Sequence, residues 1–297
     1  MAFYRPLPGA GGSSGPAYDD TEIRGRIEDL ESQPSGGGAG RRHLLGIHAI
    51  TSSGPLSKGA ILARDWMEDI DPATCDVDIF LVGGGAGGKA LMTSYPNASM
   101  FIDGGYAAGV TVVRNVLFEQ LPDGAAIYVG AGGAGLSSGQ NSGGDTSIAG
   151  LAVAFGGRGN LAPLYSDVPI GAPGLGTRIT AEDSAGPGSG GGTRYSEQNN
   201  DPAADGKGGD SSFHRLDRRL TGGTAGSIGR QVNPAQSAPA ESLRYGSGGC
   251  GSDYGLYSAG DGGFPGGGGG GKLTGNASYI SGKGGNGVVR FAVYQWR

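Results

Sequence analysis

Apolar positions along this chain come in short runs, most of them closed by glycine, and the runs predict strands. Residues 41–50, with Leu44, Leu45, Ile47 and Ile50, read as a strand ending at Thr51-Ser52-Ser53-Gly54. The clearest strand is 76–82, which runs straight into Gly83-Gly84-Gly85-Ala86-Gly87-Gly88. Residues 110–118 form another, followed by the turn Leu121-Pro122-Asp123-Gly124. A short strand at 126–129 meets a second glycine run at Gly130, and the apolar segment 146–155 stops at Gly156-Gly157. Residues 59–70 suit either a strand or a short helix, closed by Pro72. Val288, Val289, Phe291, Val293 and Trp296 predict a terminal strand that can return to the sheet.

Helical spacing is confined to two places. Asp19-Asp20-Thr21-Glu22 places acidic residues at a helix start, and Ile23, Ile27 and Leu30 follow as one narrow stripe. That stripe has the width of a coiled-coil seam, and so short a helix is marginal alone in water. It therefore implies a partner, either another copy or another protein. Phe213, Leu216 and Leu220 fit one helical face that Gly222 would end. The chain thus divides into an arm with a short coiled-coil helix (1–40), a β-rich glycine-containing core (41–157), a glycine-rich loop or distal region (158–280) and a closing strand of the core (281–297). The fold class is mainly β.

Composition sharpens this. The chain has 66 glycines in 297 residues, against a usual share of about 7%, and each would cost about 0.5–1 kcal/mol in an ordinary strand or helix interior. The glycines must occupy turns, loops or an architecture that needs a missing Cβ. A net charge of −5 without a basic block makes nucleic acid an unsuitable partner. No apolar run has the length of a signal peptide or a membrane span. Cys75 and Cys250 do not form a disulfide framework; they could pair if close, and two unbridged thiols of a reducing compartment are the expectation.

Gly83, Gly85 and Gly88 spell G-x-G-x-x-G after a strand, and Asp103 lies about twenty residues on, as in a dinucleotide fingerprint. The context fails: the crossover helix would have to fit between Gly88 and Pro96, and no further βα units follow. No cofactor is expected. His43 and His48, five apart, should face opposite sides of a strand and be structural, and with His214 they complete the histidines. No cysteine spacing suits a metal, and Ser-His-Asp sets carry no weight in a chain so rich in serine and aspartate.

Tyr18-Asp19-Asp20-Thr21-Glu22-Ile23-Arg24-Gly25-Arg26-Ile27 resembles the short helical segment near the N-termini of phage tail fibre proteins. Five further stretches, in this order, resemble a phage tail glycine-rich domain: Ile50-Thr51-Ser52-Ser53-Gly54, Val77-Asp78-Ile79-Phe80-Leu81-Val82 with its glycine run, Ile127-Tyr128-Val129-Gly130 with the glycines after it, Gly143-Gly144-Asp145-Thr146-Ser147, and Gly284-Gly285-Asn286-Gly287-Val288-Val289-Arg290-Phe291. The likeness covers roughly 18–30, 44–157 and 281–297. It implies a β-sandwich-like scaffold with polyglycine II-like segments, a homotrimer, and a virion component at the tail end, assembled in the host cytoplasm. It also implies attachment to another tail or baseplate protein through residues 1–30, and contact with a host surface glycan or outer-membrane protein, without membrane insertion.

Receptor contact is expected from the glycine-rich stretch 158–280, through Tyr165, Tyr195, Tyr245, Tyr254 and Tyr257. A tyrosine offers a flat apolar face for a sugar ring and a hydroxyl for its edge. Arg215, beside Phe213 and His214, suits anionic groups. The alternative is that these aromatics are plugs giving glycine-rich loops small cores. Competing functions are a baseplate or fibre spacer, a repetitive coat or antifreeze-like protein (for which 156–209 lacks strict tripeptide repetition), and a flavin or nicotinamide enzyme.

Overall fold

The computed structural model describes residues 42–92, 101–158, 186–188, 190, 193–194, 211, 235–252, 257–274 and 277–296. The expected helix carrying Ile23, Ile27 and Leu30, and the helical face of Phe213, Leu216 and Leu220, lie outside them.

Strands form where the apolar runs lie. They are β1 (Arg42–Ile50), β2 (Gly54–Pro55), β3 (Cys75–Val82), β4 (Ala90–Met92), β5 (Phe101–Ile102), β6 (Val110–Leu117), β7 (Ala126–Tyr128), β8 (Thr146–Ile148), β9 (Ala152–Ala154), β10 (Thr193–Arg194), β11 (Lys272–Thr274) and β12 (Val288–Trp296). The ambiguous stretch after β2 becomes a helix, α1 (Lys58–Leu62), because the Ser57 hydroxyl caps it by accepting from the Ala60 N–H. The apolar segment 146–155 is a hairpin, β8–β9, turned at Gly150 with φ +73°.

Two four-stranded sheets face each other, in the orders β1-β12-β3-β6 and β2-β7-β8-β9, antiparallel throughout. Strand alternation sends Val77, Ile79 and Leu81 of β3, and Val289, Phe291 and Val293 of β12, into the space between them. There they meet Leu56, Ile127 and Ile148, with Ile61, Met67 and Phe118 closing the sides. The opposite face of β3 and β12 is buried as well, under Ala108 and Tyr245, which pack on Val82 and Val288. Burial on both faces is why β3 is apolar without a break from Ile79 to Val82, while the buried Asp76 and Asp78 alternate with apolar residues at its start.

At the end of the sandwich where β1 begins, Arg42 reaches over the Tyr294 ring, 3.8 Å from its centroid, to two aspartates of β3. Its Nε donates to Asp76 Oδ1 (2.8 Å) and its terminal nitrogens to the two oxygens of Asp78 (3.0 and 2.7 Å). The register of β1 slips between Leu44 and Gly46. That bulge corrects the expected placing of the histidines: His43 pairs with Gln295 and His48 with Phe291, so both register positions lie on one face. Arg64 Nε donates to His48 Nδ1 (3.1 Å), and burial together with the Arg64 charge holds that imidazole below its ordinary value.

The glycine runs continue these strands beyond the sandwich as a bundle of extended segments. Segment 83–88, leaving β3, shows the rule. Gly83, Ala86 and Lys89 donate to Gly109, Tyr106 and Asp103; Gly84, Gly87 and Ala90 to Gly144, Asn141 and Gly139; Gly85 and Gly88 to Gly285 and Gly282. Every third residue faces the same neighbour, as a helix of three residues per turn without internal hydrogen bonds requires. In return, its carbonyls accept from Gly157, Gly133 and Gly269, so the segment has neighbours on all sides. The period recurs elsewhere: Ser281, Gly284 and Gly287 donate to Leu136, Gly133 and Gly130, while Gly246, Gly249 and Ser252 donate to Pro265, Gly268 and Gly271. These are the polyglycine II-like segments.

The glycine-rich stretch 158–280 does not stand apart as a distal region in its described residues. Gly188, Gly190, residues 246–252 and residues 259–271 are woven into the same bundle, and Gly269 donates to Ala86 at its centre. Hydrogen bonding at a period of three, without any apolar period, joins them to it.

Glycine is required here for space. A Cβ on Gly85 would lie 2.1 Å from the carbonyl oxygen of Gly267, and one on Gly88 1.8 Å from that of Gly270. Gly85→Ala should therefore destabilise the protein by at least the 1–3 kcal/mol typical of overpacking, roughly, because backbone and not a movable side chain is in the way. Gly59→Ala in α1, where the nearest atom is the Ser57 hydroxyl at 3.7 Å, should stabilise by up to about 1 kcal/mol. Denaturant midpoints of the two variants check the contrast. A second expectation concerns acid. Burial works to raise the Asp78 carboxyl, but hydrogen bonds from Arg42 and the Asn115 N–H outweigh it and hold the group below its ordinary value of 3.8. Its contribution to stability is thus complete above that value and lost as pH falls through the lower folded value. Asp78→Asn should remove this part of the pH dependence in acid unfolding curves.

Candidate functional site

The directions of the bundle segments define two ends. Segments 83–88, 130–135, 246–252 and 266–271 run away from the sandwich, while 104–109, 141–144, 259–263 and 281–287 return to it. At the far end the chain turns. There β4 pairs with β11 in parallel, Ala90 opposite Lys272, and β5 pairs with β10, Ile102 opposite Thr193. Residues 136–139 complete this end, with Ala90 and Gly139 exchanging both hydrogen bonds.

Side chains at this end sit on backbone fixed by the bundle. Met92 is 51% exposed and Tyr257 40%, and Asp103 and Ser138 also face solvent. The Ser252 hydroxyl donates to the Tyr257 carbonyl (3.2 Å) and accepts from the buried Lys272 Nζ (3.1 Å), tying Tyr257 and the end of segment 246–252 to β11. Half-buried Tyr106 has its phenol pushed up, by burial first and then by the charge of Asp103. The described part of this surface carries apolar and hydrogen-bonding side chains beside hydrogen-bonded backbone. Among the described residues no group of three or more histidine, cysteine or acidic side chains could hold a metal ion. Cys75 and Cys250 are both buried and do not bridge.

The dinucleotide-like motif lies inside the bundle. The N–H groups of Gly83, Gly85 and Gly88, which a bound pyrophosphate would need, are used on the carbonyls of Gly109, Gly285 and Gly282. All three glycines are buried. The spacing that imitates a nucleotide fingerprint is produced by neighbouring backbones that leave no room for a Cβ.

The predicted contact tyrosines separate. Tyr257 is exposed at the far end. Tyr245 is 1% exposed, at the sandwich side of the bundle, and packs on Val82, Ala108 and Val288. The expectation of surface contact fails for Tyr245, which fills the plug role instead: burial pushes its phenol up to about 12. Tyr165, Tyr195, Tyr254 and Arg215, with Phe213 and His214, lie outside the described residues.

Next to Tyr245 lies Arg290, which the sequence pattern did not single out. It is fully buried on β12, and its guanidinium donates to the carbonyls of Ala240 (2.7 Å), Arg244 (2.7 Å) and Pro239 (3.2 Å). Burial pulls its pKa down to about 10. Its one sequence signal was a cation interrupting an apolar terminal strand.

The family described as Glycine-rich domain matches residues 65–294. No curated protein matches the chain.

Tyr245→Ala should cost about 3–5 kcal/mol, as for other buried aromatic truncations. Tyr257→Ala should stay within about 0.5 kcal/mol of the parent, as surface changes do. Equilibrium denaturation of both variants measures the difference.

Proposed function

We propose that this chain, which belongs to the glycine-rich domain family, is a tail fibre or tail-tip component of a bacteriophage that attaches the particle to a host surface through the far end of its bundle. One observation carries the reading. The turns between bundle segments gather at one end and present exposed side chains such as Met92 and Tyr257, while β1 begins and β12 finishes at the other. That separation supports a binding end distinct from a mounting end. The resemblance of residues 18–30, 44–157 and 281–297 to phage tail proteins supports the particle to which it would belong. A fixed frame of backbone hydrogen bonds lets the turns hold a glycan or a protein loop without rearranging, which limits the entropic cost of binding. The bound backbone amides of the fingerprint motif support a binding protein in preference to a dinucleotide enzyme.

The test is competition. Purified protein incubated with host cells should occupy the receptor and slow adsorption of particles. Tyr257→Ala and Met92→Ser should weaken that block while leaving the thermal midpoint in place. Presence of the protein at the tail end without any block would favour the spacer reading, and its absence from purified particles would end the tail assignment.

A further inference from the structure

The path of tension through the fold suggests a role for β1 and Arg42 that the binding end does not require. A protein attached at one end to a particle and at the other to a cell is pulled along the axis joining them. This use rests on the attachment reading, but the geometry does not. Residues 1–41 precede β1, so a pull from the particle side enters the described fold at Arg42.

Strand directions then decide how that pull is resisted. β1 runs from Arg42 toward the bundle, where Ile50 pairs with Val289. β12 runs the opposite way, and its start is held in the bundle by Ser281, Gly284 and Gly287, which donate to Leu136, Gly133 and Gly130. A pull on Arg42 against the far end therefore slides β1 lengthwise along β12. Every pair from Arg42–Trp296 to Ile50–Val289 is strained at once. A pull between Arg42 and Trp296 acts differently. Those residues are partners at the same end of the ladder, so the pairs open one after another. The same hydrogen bonds resist strongly in the first direction and weakly in the second.

Arg42 lies where the tension enters. Its guanidinium crosses β12, over Tyr294, and holds Asp76 and Asp78 on the third strand. Burial disfavours its charge, but the hydrogen bonds with Asp78 and Asp76 outweigh that and keep the guanidinium above its ordinary range, so the link stays ionised. Asp76 is held from a second side, accepting from Trp296 Nε1 (3.2 Å). The first residue of β1 is thus fastened to β3 as well as to its neighbour.

We propose that β1 is a tension clamp, a strand set in shear between the chain entering at Arg42 and the far end of the bundle, with Arg42 as its bolt to β3. Single-molecule pulling on the full chain tests this in two directions. In the first, handles are attached at the two chain termini. In the second, one handle is at the N-terminus and the other on Ser138→Cys, an exposed site at the far end. The native thiols Cys75 and Cys250 are buried and will not compete for the handle. At the same loading rate, the force that unfolds residues 42–297 should be several-fold higher between the N-terminus and residue 138 than between the termini. Equal forces, or the reverse order, would overturn the clamp. Arg42→Met should lower the force in the strong direction, and an unchanged force would remove Arg42 from the device. The wild-type comparison of directions stands even if that variant folds poorly. Loss of adsorption has no bearing on the ratio of forces, so failure here is distinguishable from failure of the attachment reading.

Discussion

Everything in this protein depends on carbonyl oxygens approaching where a side chain would otherwise begin. At Gly84, Gly85 and Gly88 the space for a Cβ is taken by the carbonyls of Ala131, Gly267 and Gly270. An extended helix of three residues per turn makes no hydrogen bonds with itself, so all its N–H and C=O groups must be satisfied by neighbours. When those neighbours come this close, the Cα–H groups also meet carbonyls and add a weaker attraction. Each segment is therefore unstable alone and ordered in company. The entropy lost by ordering so many glycines is large, and a net hydrogen bond is worth only about 1 kcal/mol. A loose or partial bundle would not form. It has to close around a central segment such as 83–88, whose groups are met on every side.

Such a bundle needs something else to set its register, because a run of glycines can slide past another by three residues without changing its contacts. The sandwich supplies this. Strands β3, β6, β7, β8, β9 and β12 each lead directly into or out of a bundle segment. Their side chains fix the register as glycine cannot: a slip of one residue would drive Val77, Ile79 and Leu81 out of the core. At the junction the period changes from two to three, and ordinary side chains return where there is room. Tyr245 and Phe264 pack there against Val82 and Val288. Arg290, enclosed by the carbonyls of Pro239, Ala240 and Arg244, fastens segment 239–244 to the back of β12.

How much of this was legible follows from where side chains carry the information. β3, β6 and β12 could be read because alternating apolar residues record a two-sided environment, and the terminal strand was placed correctly in the sheet. The bundle could not be read from hydrophobic pattern, since its period is one of hydrogen bonding and glycine looks the same inside it as in a turn. That is why the glycine-rich stretch after β9 reads as a distal region, although Gly249, Gly260 and Gly268 are bundle interior. Tyr245 is misplaced by sequence for a related reason. Gly246, Ser247, Gly248 and Gly249 follow it in sequence, which suggests a loop, whereas its neighbours in space are Val82 of β3, Val288 of β12 and Ala108. The two histidines of β1 fall on opposite faces by spacing alone because a bulge leaves no mark that spacing reveals. The role of Arg290 could not be read beyond its being a cation in an apolar strand, because its partners are backbone carbonyls, which no sequence pattern specifies.

The same physics separates scaffold from function along the axis. Where the bundle interior is main chain, as along segment 83–88, the amides are already bonded and a methyl group has no room. Exposed side chains reappear at its ends, where the period of three stops. At one end lie the two sheets with a packed core, β1 and its arginine. At the other lie turns whose backbone ends are held only a few residues away, by pairs such as Ala90 with Gly139 and Ala90 with Lys272. Most hydrogen bonds of the bundle join backbone to backbone, so exposed side chains such as Met92 and Ser138 can change without breaking them. This independence lets a surface be altered while its support is kept.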